Sequence, residues 1–449
     1  MIHMRFCTIT LGCKVNQFET QAMESMLIAR GGTLVKPGDG CDICLVNTCA
    51  VTSESERKSR QAVRRAKKLE PGALIAVGGC LSQREPSAIK RLGADLVGGT
   101  GDRQKFAIEI GKLARGSSPE SIIDDPAQRD TFEELQPYIQ SSHDPALRPV
   151  RQRTRALLKI QDGCGNYCAY CIVPYVRGGI RSLPLERAAT HALRLQESGF
   201  REIVVTGIEI SSYGKDLDGG VTLIDVVREI CAAAPLARIR LGSLDPGVLK
   251  KKFCRELSMI PNLCPHFHLS LQSGCDGTLR RMRRKYDTGA VREAIALLRS
   301  LFPDCGITAD LIAGFPGETD AEFTQTLEFI KSAAFSDMHI FPFSPRPGTL
   351  AAGMPEQVEK SVRRERAGIA AAVAEGMARE FRLGQIGKTV GVLFERKRGG
   401  YWTGHSGNYI EISARDGGAR NCVFDVRITD VNGRTVWGEI VKGQLTIDS

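Results

Sequence analysis

DGCGNYCAYCIVPYVRG, running from Asp162 to Gly178, carries Cys164, Cys168 and Cys171 in a C-x3-C-x2-C spacing. Three thiolates in one short loop can hold three corners of a [4Fe–4S] cube and leave the fourth iron without a protein ligand. A zinc knuckle or a set of buried free thiols would use the same residues, but zinc normally takes four ligands and no fourth Cys or His lies close by. The loop directly follows ALLKIQD, the first of six strand-like runs; REIVVTG, ARIRLGS, HFHLSLQS, GITADLIAGFP and DMHIFPFS are the others. Each of the first five leads into a helical stretch, as in PLERAATHALRLQESG and GAVREAIALLRSLF. Six successive β/α units predict an open, partial (β/α)6 barrel over 151–382, with its reactive groups at the C-terminal ends of the strands. The cysteine loop stands at the first of those ends, and a charged helix over about 355–382 closes the unit.

Upstream, over 1–117, the pattern is again α/β. FCTITLG, DICLVNT, ALIAVGG and DLVGG read as strands buried on both faces, separated by the helical stretches NQFETQAMESMLIARGG and SERKSRQAVRRAKKLEP. That alternation predicts a parallel sheet with flanking helices. Residues 118–150 turn polar and Pro-containing and read as a linker with one strand of its own. Over 383–449 the helical pattern disappears. KTVGVLFER, GYWTGHSGNYIEIS, NCVFDVRITDV and TVWGEIV alternate with Gly-rich turns and predict a small OB-like β-barrel, a class that often binds nucleic acid. No internal repeat is visible.

A chain of 449 residues exceeds one ordinary core and implies two to four domains. No apolar run suits a signal peptide or a transmembrane helix, so the expectation is a soluble, cytoplasmic protein with no membrane partner. Fifteen cysteines, an odd count, then argue against a disulfide framework and for iron–sulfur ligation by those that cluster. The formal net charge of +10 fits a polyanionic partner, with nucleic acid the leading candidate.

A second constellation is dispersed: Cys13 in TLGCKVNQFE, Cys49 in LVNTCAVTSESE and Cys80 in AVGGCLSQ, each just past a predicted strand. Singly, each reads as ordinary buried cysteine. Together, at ends that converge on one edge of a parallel sheet, they predict a second three-cysteine cluster, with Gly12, Gly78 and Gly79 letting the backbone approach it. An open iron at the first cluster can chelate the amino and carboxylate groups of S-adenosylmethionine (SAM), and an electron then cleaves the sulfonium to a 5′-deoxyadenosyl radical.

TLGCKVNQFE, VNTCAVTSESERKSRQ, GGC, KIQDGCGNYCAYCIVPYVRG, HLSLQSGCDGTLRRMRRKY, DLIAGFPGET and FPFSPRPGT resemble the methylthiotransferase family, through nearly the whole chain. The resemblance implies an N-terminal cluster domain, a radical SAM barrel and a C-terminal TRAM barrel. It makes Cys13, Cys49 and Cys80 ligands of an auxiliary [4Fe–4S] cluster, and Cys164, Cys168 and Cys171 ligands of the radical SAM cluster. LGCKVNQFE and QDGCGNYCAYCIVPYVRGGIRS are most similar to the branch acting on N6-threonylcarbamoyladenosine, beside the tRNA anticodon. That branch implies two SAM molecules spent per methylthio group placed on carbon 2 of the adenine. It also implies the tRNA anticodon stem-loop as substrate, a reductant such as flavodoxin or ferredoxin, and a sulfur donor. The isopentenyladenosine and ribosomal-protein aspartate branches are the alternatives within the family. An RNA-binding protein with purely structural clusters is the alternative outside it.

The resemblance also assigns SAM contacts: Tyr170 to adenine, Gly207 and Glu209 toward the amino group, Ser243 and Gln272 at strand ends, and Ile312 with Gly314 against the adenine. For the polar members a helix cap or turn is the competing reading, of equal weight for Ser243 and Gln272. The basic segments Arg177–Arg181 and Lys250–Lys252 read as solvated faces, whereas Arg280–Lys285 follows a strand that faces the cavity mouth, where a phosphate backbone would pass. Tyr401, Trp402 and Tyr409 are read as barrel core rather than stacking platforms. Cys41 and Cys44 form a C-x2-C, but Cys44 falls inside a strand and reads, like Cys7, Cys231, Cys254, Cys264, Cys305 and Cys422, as a packed small hydrophobe; Cys275 has no assigned role.

Overall fold

A computed structural model describes residues 4–137, 154–415 and 417–442; the remainder of the expected linker, 138–150, lies outside the described residues. The first unit is a five-stranded sheet of β1 (Met4–Thr10), β2 (Gly32–Leu34), β3 (Ile43–Thr48), β4 (Leu74–Gly79) and β5 (Leu96–Val97), in the order β2-β1-β3-β4-β5. Every pairing in it is parallel. All residues of β3 are buried, as a central strand covered on both faces requires. Helix α1 (Lys14–Ala29) follows β1, and α2 (Ser53–Leu69) follows β3 with the Thr52 hydroxyl accepting from the Ser55 N–H as its cap.

The stretch read as a linker is packed where it is described. Ile122 bridges in parallel to Gly98 at the sheet edge, and Gln83 donates to the Asp124 carbonyl at 2.8 Å. Glu134 then pairs with Arg187 and with His191 of the next unit, the latter at 2.6 Å.

That unit contains the six expected strands, all parallel. β6 (Arg155–Lys159) is followed by a short antiparallel pair, β7 (Gln161–Asp162) with β8 (Arg181–Ser182), which brackets the cysteine loop. Next come β9 (Glu202–Thr206), β10 (Arg238–Leu241) with β11 (Ser243–Leu244), β12 (His266–Gln272), β13 (Gly306–Ala313) and β14 (Asp337–Pro342). The third expected strand is split at Gly242, where a Cβ would stand 2.9 Å from the Val205 carbonyl oxygen. β10 pairs with β9 while β11 pairs with β12, so the sheet bends there into an open partial barrel. The long helix Lys360–Leu383 packs Ala370 and Ala374 into its core.

The last unit is a closed five-stranded barrel of β15 (Thr389–Arg398), β16 (Tyr401–Ser406), β17 (Glu411–Ala414), β18 (Val423–Asn432) and β19 (Thr435–Lys442). Val392, Phe394, Ile412, Val426 and Val436 fill it. Arg240 on β10 docks it onto the partial barrel, donating to the Gly407 and Ser406 carbonyls at 2.8 and 3.1 Å while Glu202 balances its charge at 2.8 Å. Among the described residues, no helix is long and apolar enough to cross a membrane.

Candidate active site

The cysteine loop leaves β7 through Gly163, whose φ of +70° and contact with the Gly179 backbone exclude a side chain. Each of its three thiols has a donor aimed at it. The Asn166 N–H reaches Cys164 Sγ at 3.5 Å, the Val173 N–H reaches Cys171 Sγ at 3.4 Å, and Arg284 Nη1 reaches Cys168 Sγ at 3.0 Å. Such donors favour thiolate over thiol. Burial works the other way in the metal-free protein, pushing Cys164 up to about 11 and Cys171 up to about 12. Iron loading must therefore release protons.

Cys13 caps α1, Cys49 follows β3, and Cys80 opens a short helix (Cys80–Arg84) after β4. β1, β3 and β4 are neighbours, so these positions meet at one edge. Gly12, at φ +101°, lies so near Cys49 that a Cβ would stand 2.9 Å from Cys49 Cβ and 3.1 Å from its Sγ. Burial, then the neighbouring Cys80, push the Cys49 thiol up to about 12. Neither triplet brings its three sulfurs within 4.8 Å of one another. All six thiols are free, and three thiols apiece are the donor type that a [4Fe–4S] cluster takes.

A cavity of about 900 Å³ is lined from all three units: Cys13, alone of the six cysteines, with Lys14 and Val51 from the first, Tyr170, Gly207, Ser243, Gln272, Ile312 and His339 from the second, Tyr409 and Arg434 from the third. Ligand sites of ordinary size fall at or below this volume. Tyr170 and Ile312 share one apolar cluster with Phe315 and Phe343. Gln272 enters the cavity with φ +67°, at a register shift in β12. A Cβ on Gly207 would meet Ile210 and Gln161 at 2.9 and 3.0 Å.

Two residues assigned as SAM contacts stand outside the cavity lining. Glu209 does not line the cavity; it caps Ile210–Ser212 by accepting from the Ser211 N–H at 3.2 Å, and takes a weak contact from Asn166 at 3.5 Å. Burial and the neighbouring Asp245 push its carboxyl upward. Gly314 is also absent from the lining; its N–H donates to Glu318 at 2.7 Å and Arg363 packs over it.

The basic segments depart further. Arg284 is only 5% exposed, paired with Asp245 at 2.8 Å beside Cys168. Arg281 pairs with Glu322 at 2.6 Å, leaving Arg280, Arg283 and Lys285 exposed. Arg177 is buried among Glu19, Asp162 and Asn16. Of the aromatics, Trp402 packs on the barrel core. Tyr409 instead stacks on His266 at 4.6 Å, under Arg240 at 4.8 Å, where the last two units meet. His268, Asp310 and His339 form an unforeseen cluster in the cavity wall: each histidine lies 3.2 Å from one Asp310 oxygen. Alternation along β12 and β13 placed His268 and Asp310 on the cavity side, but nothing local in the sequence pairs them.

Residues 5–99 match the family described as "Uncharacterized protein family UPF0004", and residues 158–330 match the radical SAM superfamily. The threonylcarbamoyladenosine tRNA methylthiotransferase MtaB of Bacillus subtilis is 34% identical, over 90% of this chain and 88% of its own. Its Thermotoga maritima namesake is 36% identical over 86% and 85%. The chain belongs to the radical SAM methylthiotransferase family. It is an enzyme, and [4Fe–4S] iron–sulfur clusters and SAM are the cofactors of that family's chemistry. A more divergent relative, the tRNA-2-methylthio-N(6)-dimethylallyladenosine synthase of Desulfitobacterium hafniense, is 29% identical over 96% of each chain. The fold also resembles the solved radical SAM methyltransferase TsrM of Kitasatospora setae, with a TM-score of 0.55 at 12% identity over 76% of this chain and 77% of that one.

Proposed function

We propose that this enzyme places a methylthio group on carbon 2 of N6-threonylcarbamoyladenosine beside the tRNA anticodon, using two [4Fe–4S] clusters and two SAM molecules per turnover. The observation that carries the reading is one cavity with Cys13 on one wall and Tyr170, set between Cys168 and Cys171, on the other. Cys164, Cys168 and Cys171 would hold the SAM-cleaving cluster; Cys13, Cys49 and Cys80 would hold the auxiliary one. When bound, these groups supply the radical that removes hydrogen from the adenine and the sulfur that replaces it.

The chain's own residues bind and orient. Tyr170 and Ile312 offer apolar surface to an adenine, while Ser243 and Gln272 present hydrogen-bonding groups at adjacent strand ends. Lys14, His339 and Arg434 bring cationic groups to the same cavity, and Asp310 and Glu411 bring acceptors. Those groups suit an adenosine bearing a carboxylate and a hydroxyl, whereas an isopentenyl substituent offers them no hydrogen-bonding group. The names of the B. subtilis and T. maritima relatives support the same substrate. A net charge of +10 supports a tRNA partner. A flavodoxin- or ferredoxin-type reductant, a sulfur donor and a cytoplasmic location complete the proposal.

Reconstituted enzyme with SAM, reductant, sulfide and tRNA carrying either modified adenosine tests it. Mass spectrometry of the nucleosides should find the methylthio group on threonylcarbamoyladenosine and not on isopentenyladenosine. Cys13→Ala should still release 5′-deoxyadenosine but add no methylthio group, whereas Cys168→Ala should release none. Deoxyadenosine without methylthiolation by the wild-type enzyme would sink the reading.

A further inference from the structure

Two cysteines outside both cluster triplets, Cys7 and Cys41, converge on a carboxylate, and a third, Cys44, stands beside Cys7. Cys7 in β1 and Cys44 in β3 stand side by side in parallel register and pack within one buried cluster. Cys41 lies in the turn before β3, which Gly38 and Gly40 form with φ of +100° and +77°. The turn brings Cys41 Sγ to 3.5 Å from Cys7 Sγ. Glu70, the C-cap of α2, closes the group: its carboxylate accepts from the Gly38 and Cys41 N–H groups at 2.5 and 3.2 Å. The ligand atoms of Cys7, Cys41 and Glu70 all lie within 4.8 Å of one another. Cys7 lies at the middle of β1 and Cys13 beyond its C-terminal end, six residues on, so the site is separate from the auxiliary triplet.

Packing alone accounts for a buried thiol, because free cysteine behaves as a small hydrophobe. It does not account for the carboxylate. Glu70 is 5% exposed, and among the described residues no Lys, Arg or His pairs with it. A buried charge needs a counter-charge or a metal. The chemistry of the set selects the metal: two or three sulfurs and one carboxylate oxygen are zinc ligands, and four such groups complete a tetrahedron. The two backbone N–H groups on Glu70 orient it as an outer partner should.

We propose that Cys7, Cys41, Cys44 and Glu70 form a structural zinc site in the N-terminal unit, distinct from both iron–sulfur sites. Each thiol that ligates the ion gives up its proton to solvent, and no oxidant or reductant is involved. The ion would tie the start of β3 and the end of α2 to β1. The proposal does not depend on which adenosine the enzyme modifies.

Zinc chloride added to cluster-loaded enzyme, followed by gel filtration, tests it by elemental analysis. About one zinc per chain should be retained by the wild type, and at least tenfold less by Cys41→Ser and Glu70→Gln, with iron unchanged in all three. Equal zinc in wild type and variants, no zinc in any, or iron lost together with zinc would overturn the site. So would a Cys7–Cys41 disulfide in protein purified without oxygen. Should the variants fail to fold, iodoacetamide labelling of the wild-type holoenzyme decides. Zinc should slow modification of Cys41 at least tenfold and leave Cys422, half-buried in the terminal barrel, unaffected; equal slowing at both, or at neither, excludes the site.

Discussion

Arg177 and Glu19 join the two cysteine sites: the guanidinium behind the radical SAM loop donates to the carboxylate on α1 at 2.7 and 3.2 Å, with both side chains 1% exposed. Arg103 and Lys159 approach the same carboxylate at 2.9 and 3.3 Å, and Asp162 takes Lys159 at 2.6 Å. Asn16 completes the joint, accepting from Arg177 at 2.8 Å while donating to the Leu11 and Thr48 carbonyls beside Cys13 and Cys49. Removing the Glu19 charge leaves buried cations uncompensated, at a cost of about 3–5 kcal/mol. Glu19→Gln should lower unfolding free energy by that amount in urea titrations, and iron content should fall at both sites because the joint orients both loops.

The same carboxylate sets an acid limit. Burial would raise Glu19, but Arg177, Arg103 and Lys159 outweigh it and bring it down to about 2, from an ordinary 4.5. A depressed folded value means the stabilisation is complete above the unfolded value and is lost as pH falls through the folded one. Metal-free wild type should therefore lose stability between about pH 4.5 and pH 2 more steeply than Glu19→Gln. Parallel curves in urea melts across that range would remove Glu19 from the account.

Arg284 places a positive charge 3.0 Å from Cys168 Sγ, held by Asp245. A hydrogen bond to a charged group contributes about 1.5–3 kcal/mol, and the lower figure corresponds to about 60 mV for a one-electron couple. Arg284→Gln should make the potential of the cluster at Cys164, Cys168 and Cys171 more negative by about that amount and slow SAM cleavage. Redox titration followed by spin resonance reads the first effect, and deoxyadenosine release reads the second. Arg284→Lys should recover part of the shift.

Arg284 and Arg177 also mark what local reading reached. The strands and their ends followed from periodicity; Cys164, Cys168 and Cys171 were proposed from their C-x3-C-x2-C spacing, and Cys13, Cys49 and Cys80 from their places just past strand ends. A run of basic residues, by contrast, is a solvated face unless something distant neutralises it. Glu19 lies 158 positions from Arg177, and Cys168 lies 116 from Arg284. Only the fold brings such partners together. The spacing of Cys13, Asn16 and Glu19 along one face of α1 was the available hint, since buried polar groups in a helix need partners. The pairing of Cys41 with Cys7 was hidden for the same reason.

Gly12 is required twice, by its φ of +101° and by its closeness to Cys49. Gly12→Ala should cost about 1–3 kcal/mol for the backbone alone. The new methyl would also displace Cys49, so roughly half the iron should be lost while SAM cleavage persists; the half follows from losing one of two four-iron clusters. Retention of full iron by the variant would separate Gly12 from the auxiliary site.

His339 sits in the cavity wall with Asp310 at 3.2 Å, and that hydrogen bond raises its pKa. Asp310 itself is half-buried, which favours its neutral form, yet contacts with His268 and His339 hold it down to about 2. Asp310 thus stays ionised and His339 keeps its proton to higher pH than a free imidazole, losing the charge as pH rises through the raised value. On the proposed substrate, its other ring N–H would meet the carboxylate of the threonylcarbamoyl group. A charge-assisted hydrogen bond of about 1.5 kcal/mol corresponds to roughly tenfold in kcat/KM. His339→Phe should lose that factor on threonylcarbamoyladenosine tRNA while deoxyadenosine release without tRNA stays unchanged. Asp310→Asn should move the alkaline limb of kcat/KM for that tRNA to lower pH, because the imidazolium loses the charge that stabilises it. An unchanged profile in Asp310→Asn, or equal losses of both activities in His339→Phe, would show that the cluster supports the strands rather than the substrate.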